Sequence, residues 1–238
     1  LTMGEKITVD VSGGCDSTAV CLLYKERGID FEMLFSDTGA ELPENYWFLP
    51  KLAKYVGKLL HVVNNGGFFL WLNKYGYFLP SARAKWCTKT LKLIPISKFH
   101  GNEPYIHAVG IRADEIKRVK PKEKWDNNEQ KLYPLVEAGM DKKEVMKLCK
   151  KHDMLNPVYN WRSSVSCFCC PLQRLQDWKG LYINHPDLFM VAEKWEETSK
   201  ENSKNFGWRS DKWTLEKIRE SVVSCGGSLF NTKEVEDE

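Results

Sequence analysis

The short β-rich run ITVDVS (Ile7–Ser12) ends in Gly13-Gly14 and passes at once into STAVCLLYKERG, whose apolar residues recur at helical spacing as far as Gly28. A change of apolar period across a glycine pair commits the chain to a strand–turn–helix unit. FEMLFS (Phe31–Ser36) is a second strand, broken by DTGAELPE, and NYWFLPKLAKYVG is a second helical stretch that Pro50 is expected to kink or split. KLLHVVN reads as a third strand and PYIHAVG (Pro104–Gly110) as a fourth. Strands alternating with helices, each strand ending in Gly, Asp or Asn, predict an α/β fold: a parallel twisted, Rossmann-like sheet with helices on both faces. Ligands gather beyond the carboxyl ends of such strands, which groups three loops, Ser12–Ser17, Asp37–Glu44 and Gly110–Arg118.

Past Gly110 the character changes. The run KRVKPKEKWDNNEQK is charged and poor in aliphatics, and is expected to be a mobile loop or lid. DKKEVMKLCKKHD is helical, with Val145, Leu148 and Cys149 on one stripe. Trp-rich helical stretches follow from Leu172 to about Val223, and the tail NTKEVEDE is expected to be disordered. The expected division is an α/β nucleotide-binding domain over 3–135, a mostly helical cysteine-bearing region over 136–230, and an acidic tail over 231–238. A chain of 238 residues buries one sizeable core with room for an appended lobe. No apolar run approaches the roughly 20 residues that span a bilayer, and the opening LTMGEKITVDV lacks the layout of a signal peptide. A cytoplasmic protein with no membrane partner is the expectation. The formal charge of +3 is too small to specify a polyanionic partner.

Gly13 and Gly14 let the backbone turn sharply and approach a ligand without Cβ clashes. The helix beginning near Ser17 offers unpaired N–H groups and the positive end of its dipole to an anion. Ser17 adds a hydroxyl donor, and Asp16 is placed to orient the Mg2+ that ATP brings. The pattern is not a Walker loop, because its spacing is too short and the Lys is missing. Arg112 ends the fourth strand with a guanidinium that can fork onto phosphate or sulfate; its plainer use is an ion pair with Asp114 or Glu115. Lys89 and Lys92 are weaker candidates. The eight cysteines are Cys15, Cys21, Cys87, Cys149, Cys167, Cys169, Cys170 and Cys225. Three of them crowd into CFCC, which without a secretion signal reads as a metal or iron–sulfur site rather than disulfides. Cys21, in AVCLLY, reads as a small buried hydrophobe, and Cys15 at a helix start has the potential for a lowered pKa.

SGGCDS meets S-G-G-x-D-S at every fixed position, and so resembles the phosphate loop of the N-type ATP pyrophosphatases, the PP-loop family. FSDTGAELPE resembles the D-T-G segment of the phosphoadenosine phosphosulfate reductase family, and KWCTKTLKLIP resembles that family's Cys-x-x-x-Leu-Lys-x-x-Pro segment. GIRADEIKR is similar to its stretch after the fourth strand. The run from YPLVEAGM to SCFCCP follows its order of Pro-Leu, helix, Asn-Pro-x-Tyr and Cys-x-x-Cys-Pro. The resemblance covers Ile7 to about Leu172. It implies an adenine nucleotide alpha-hydrolase-like fold in which Ser12, Gly13, Gly14, Asp16 and Ser17 hold the β- and γ-phosphates of ATP with Mg2+. The α-phosphate is left open to attack, so that an acceptor is adenylated and pyrophosphate released. It further implies that Asp37, Thr38 and Gly39 border the adenosine and that Gly110 and Arg112 contact phosphate or acceptor. Asp16, Ser17 and Arg112 would carry the catalysis.

The resemblance also brings Cys87 towards Cys167 and Cys170, because the family's iron–sulfur members use cysteines from both segments. Those members carry a Cys-Cys pair where this chain has Trp86-Cys87, so one ligand must come from Cys149 or Cys169. The iron–sulfur sulfurtransferases of DNA phosphorothioation, closest in pattern, use a cysteine ahead of the Cys-x-x-Cys, a place held here by Cys149. A 4Fe-4S cluster is expected in preference to Zn2+. Sulfonucleotide reductases depart from S-G-G-x-D-S and keep a nucleophilic cysteine motif near the C-terminus, of which Ser224-Cys225-Gly226 is a degenerate form. The expectation is therefore an ATP-binding adenylating enzyme coupled to sulfur transfer, with a sulfur donor protein as partner. Reduction of phosphoadenylyl sulfate or adenylyl sulfate is the alternative, and a non-catalytic nucleotide-binding module of a nucleic-acid modification complex the second. Arg118, Lys120, Lys122, Lys124 and Trp125 of the lid would suit a nucleic-acid backbone.

Overall fold

Along β1 (Lys6–Asp10), Ile7 and Val9 point to one face of the sheet and Thr8 and Asp10 to the other, as the two-residue period of a strand requires. The computed structural model describes residues 6–119, 129–203, 207–209 and 213–224. The chain divides into two compact units, residues 1–71 with 85–167, and residues 72–84 with 168–238. Unit one holds α1 (Cys15–Glu26), β2 (Glu32–Asp37), α2 (Pro43–Val56) and β3 (Leu60–Asn64), after which α3 (Gly67–Lys74) begins. It resumes with α4 (Trp86–Thr88), a π turn at Lys89–Leu93, α5 (Ile94–His100) and β4 (Tyr105–Ala108). A 3-10 turn at Ala113–Arg118, β5 (Glu129–Leu132), α6 (Pro134–Glu137) and α7 (Lys142–Lys151) follow, and a 3-10 turn spans Pro157–Asn160.

The five strands are all parallel in the order β3-β2-β1-β4-β5, with Val9 opposite Met33 on one side and Ala108 on the other. The chain leaves β1 for β2 and β3, then crosses back to β4. The switch point where ligands bind in such sheets therefore lies between β1 and β4. Ile7, Val9, Val11, Met33, Phe35, Ile106 and Ala108 join α1, α2 and α7 in one buried cluster, while the segment from the π turn through α5 packs on β2 and β3.

Three expectations change. The helix α2 runs unbroken through Pro50. Its Phe48, Leu49, Leu52 and Val56 are buried, each contributing roughly 1.5–3 kcal/mol. Their sum exceeds the ~3 kcal/mol that an interior proline costs. Glu129, Gln130 and Lys131, read as the end of a charged lid, pair with β4 as the edge strand β5, with Gln130 opposite Ile106. Residues 120–128 of that run, with Lys120, Lys122, Lys124 and Trp125, lie outside the described residues, as do Cys225 and the tail. Finally, α7 belongs to unit one rather than to a second region beginning at 136. Its buried stripe of Val145, Leu148 and Cys149 packs on α1, and an Asp141/Glu144 capping box starts it.

Unit two contains α8 (Leu175–Asn184), α9 (Pro186–Ser203) and α10 (Leu215–Ser224). Trp178 is fully buried and packs against Phe189 and Trp208. The buried Glu196 carboxylate accepts from the backbone N–H of Trp208 at 3.0 Å and of Leu215 at 2.9 Å, tying the start of α10 to α9. Among the described residues no helix is long and apolar enough to cross a membrane.

Candidate active site

The loop Ser12–Ser17 joins β1 to α1, and its shape is imposed by side chains far away in sequence. Gly13 adopts φ +77°, and a Cβ there would overlap Asn45 Oδ1. Asn45 is fully buried and donates to the Ser12 carbonyl at 3.1 Å, while Asn156 donates to the Gly13 carbonyl at 3.2 Å and to Asn45 Oδ1 at 3.2 Å. The Cys15 N–H donates to the Tyr159 hydroxyl at 2.9 Å. The Ser17 hydroxyl donates to the Gly14 carbonyl at 3.2 Å and accepts from the Ser12 N–H at 3.2 Å. Gly14 brings no capping side chain to α1, and although Tyr159 takes the Cys15 N–H, the positive dipole end remains for an anion. Gly110, after β4, comes so close that a Cβ would lie 3.0 Å from the backbone of Asp16 and Ser17.

Two cavities meet at this loop. One, of about 270 Å³, is bordered by Gly14, Asp16, Ser17, Gly110, Arg118 and Tyr159. The other, of about 290 Å³, runs over the carboxyl ends of β1 and β2, bordered by Leu34, Phe35, Ser36, Glu41, Lys92 and Ile96. Asp10, Ser12 and Val165 line both. Either alone falls just short of the ≈300 Å³ at which ligand pockets begin, and joined they fall within that range.

Arg112 follows β4 and reaches back to the loop. Its Nη1 donates to Asp16 Oδ2 at 2.8 Å and its Nε to Asp114 at 2.9 Å, with Glu115 3.4 Å from Nη2. Burial opposes the charge, but the carboxylates outweigh it and raise the guanidinium pKa further. The structure shows the plainer of its two expected roles, the pairing with Asp114 and Glu115, and adds one the sequence did not suggest, an ion pair with the loop's own acid, Asp16. Cys15 departs from expectation. Burial first, and then Asp16, push its thiol up to about 11, so the helix start does not activate it.

Asp37, Thr38 and Gly39 form a turn that does not line the cavity over β1 and β2. Asp37 accepts from the Gly39 N–H at 2.8 Å and from the Tyr46 hydroxyl at 3.0 Å. Thr38 is buried, donates to Glu41 Oε1 at 2.7 Å and lies 3.2 Å from Cys167 Sγ. Glu41 borders the cavity in their place, its carboxyl pKa raised by burial, with Lys92 near enough to oppose that rise.

The thiols lie in different settings. Cys149 is fully buried against α1, donates to the Cys15 carbonyl at 3.5 Å, and is pushed up to about 12 by burial. Cys167 is half-buried beside Thr38 and Glu41, and Cys87 is half-buried at the start of α4. In unit two, Cys169 is buried and Cys170 half-buried. Among the described residues no three His, Cys, Asp or Glu side chains gather into a group that would hold a metal ion.

Sequence reading missed Asn45, Asn156 and Tyr159, although the last two stand in the Asn-Pro-x-Tyr stretch that it singled out. It also missed Asp10 and His107. Asp10 was visible only as a charge closing an apolar strand, while Asn45 and His107 carried no local signal.

The phosphoadenosine phosphosulfate reductase domain is matched over residues 6–173. Among curated proteins, an uncharacterized protein of Methanocaldococcus jannaschii is 26% identical over 214 residues, which is 86% of this chain and 49% of that protein. An uncharacterized nin region protein of Escherichia phage lambda is 30% identical over 148 residues, 48% of this chain and 50% of that protein. The chain spans about half the length of these relatives. The phosphoadenylyl-sulfate reductase of Candida auris, solved as a phosphate complex, has a TM-score of 0.54 at 15% identity, covering 69% of this chain and 82% of that one; the two share a fold. The U34-tRNA thiolase NcsA of Methanococcus maripaludis, solved with its 4Fe-4S cluster, has a TM-score of 0.46 at 15% identity over 98% of this chain and 84% of that one, too low to carry an argument.

Proposed function

The chain belongs to the phosphoadenosine phosphosulfate reductase domain family, and from that premise we propose that it is an ATP-dependent adenylating enzyme coupled to sulfur transfer. One observation carries the reading: a helix N-terminus with no side chain at its N-cap, behind a complete S-G-G-x-D-S loop, opens into a cavity that adjoins a second one of nucleoside size. Adenine occupies the cavity over β1 and β2, the ribose lies at the wall the two cavities share, and the β- and γ-phosphates lie on Gly14, Ser17 and the first turn of α1. Asp16 holds the Mg2+ that accompanies ATP, and its carboxylate is kept in place by Arg112. The acceptor's lone pair forms a bond to the α-phosphorus while the α–β bridging bond breaks, its electrons leaving with pyrophosphate. The site's work is positioning and charge stabilisation.

For a cluster, the thiols named by the resemblance are Cys87, Cys167 and Cys170, with Cys149 or Cys169 as the fourth. Cys149 fits poorly, being enclosed in the core with its proton donated to a backbone carbonyl; Cys169 is buried too, and is preferred because it directly adjoins Cys170 in the chain. When bound, a 4Fe-4S cluster would supply a site for the sulfur atom, delivered by a donor protein; the adenylation step is independent of it.

The test is release of pyrophosphate from ATP labelled at the α-phosphate, with nucleic-acid and small-molecule fractions offered as acceptors. Label appearing in AMP or on an acceptor supports the proposal. Sulfite release from a sulfonucleotide with reduced thioredoxin, and no pyrophosphate from ATP, overturns it in favour of reduction.

A further inference from the structure

Asp10 stands at the carboxyl end of β1 and belongs to the wall that the two cavities share. Its Oδ2 accepts from His107 Nε2 at 2.9 Å, and His107 Nδ1 donates to Glu129 Oε1 at 2.6 Å. The imidazole is thus clasped between carboxylates of β1 and β5, and Lys131 lies 3.2 Å from the second of them. Burial alone would lower the His107 pKa, but its bonds to Asp10 and Glu129 carry it up to about 9, so both nitrogens donate at neutral pH. The remaining Asp10 oxygen, Oδ1, is buried without a partner among the described residues, and so is the hydroxyl of Ser36, which lines the same cavity. Unsatisfied polar atoms are rare in protein interiors and costly. Two in one cavity wall mark a place where a polar ligand supplies what the protein does not.

We propose that Asp10 reads the sugar of the bound nucleotide, accepting from a ribose hydroxyl and disfavouring nucleotides that carry a phosphate on the ribose. The inference rests on the nucleotide reading above. A nucleotide with its base in one cavity and its phosphates in the other must cross the shared wall with its sugar, because the sugar is the link between them. A carboxylate is an acceptor only, and the hydroxyls are the donors that ribose offers. A 3′-phosphate removes the hydroxyl donor and sets acceptor oxygens against an oxygen that can itself only accept. Lys92, a cation of the nucleoside-sized cavity, has the buried Glu41 carboxylate to answer, and Arg118 borders the phosphate cavity instead. Asp10 therefore favours ATP over phosphoadenosine compounds.

Titration calorimetry with the full chain tests this. AMP, 2′-deoxy-AMP, 3′-deoxy-AMP and adenosine 3′,5′-bisphosphate serve as probes, with ATP as the reference. The bisphosphate is expected to bind at least tenfold more weakly than AMP. One of the two deoxy compounds should lose roughly ten- to a hundredfold, the worth of a hydrogen bond to a charged acceptor. Asp10→Asn, which keeps the shape and a bond to His107, should shrink both differences. Wild-type protein that binds the bisphosphate as tightly as AMP overturns the inference without recourse to any variant, and so does an Asp10→Asn protein with both differences intact. If ATP binds and the sugar comparisons are flat, only the inference fails. If no adenine nucleotide binds, the proposed function fails with it.

Discussion

Replacing Gly13 with Ala tests how the Ser12–Ser17 loop is built. The residue sits at φ +77°, a left-handed backbone that costs an L-residue roughly 1–2 kcal/mol. The new methyl would also overlap Asn45 Oδ1, and Asn45 has nowhere to go without breaking bonds. It donates to the Ser12 carbonyl and to Glu41 Oε2 and accepts from Asn156, all in a fully buried setting. Leaving one or two such groups unpaired costs about 1–3 kcal/mol each. The expected loss is therefore roughly 2–8 kcal/mol, a large part of the 5–15 kcal/mol that holds an ordinary domain together. Gly28→Ala supplies the control, because Gly28 is also left-handed, at φ +63°, but has nothing within 4 Å of where a Cβ would stand. It should lose only the conformational part, roughly 1–2 kcal/mol. Urea denaturation of the two variants and the parent gives both numbers. Equal losses would refute the claim that Asn45 braces the loop, as would a Gly13→Ala protein that keeps its full stability and nucleotide affinity.

Asp16→Asn should leave the fold intact and cut pyrophosphate release from Mg-ATP by roughly a hundredfold or more, followed by the labelled-ATP assay alongside circular dichroism. His107 makes stability depend on pH. Its folded pKa, about 9, lies above the ordinary value, so its contribution is complete below about 6.5 and fades as the pH rises through 9. Denaturation midpoints should accordingly fall across that window, and more gently in His107→Gln. The thiols of Cys15 and Cys149, raised to about 11 and 12, should resist alkylation in the native protein and react on unfolding, as mass spectrometry of iodoacetamide-treated samples would show. Protein purified without oxygen should show thiolate-to-iron absorption, lost in Cys87→Ala and Cys167→Ala and kept in Cys149→Ala; loss in the last as well would return Cys149 to the ligand set.

The strand–glycine–helix unit at Ile7–Gly28, the next three strands and the site of Arg112 were legible in the sequence because each depends on neighbours within one turn or one strand. An apolar period, a glycine pair and a helix start are local signals, and a phosphate loop is a local device. The same locality misled at Pro50, where the burial of α2 outweighs a rule about one hydrogen bond, and at Glu129–Lys131, where an open sheet edge makes a strand of a charged run. What the tertiary structure alone decided is the company each side chain keeps. Asn45 and Asn156 are 111 residues apart and brace the same loop. His107 is joined to Asp10 and Glu129 only because β1, β4 and β5 lie side by side. Cys149, one of the two alternatives for a fourth cluster ligand, is turned into the core by the stripe that packs α7 on α1. Local chemistry is written along the chain, but burial and the pairing of distant polar groups arise only when the sheet brings the strands together.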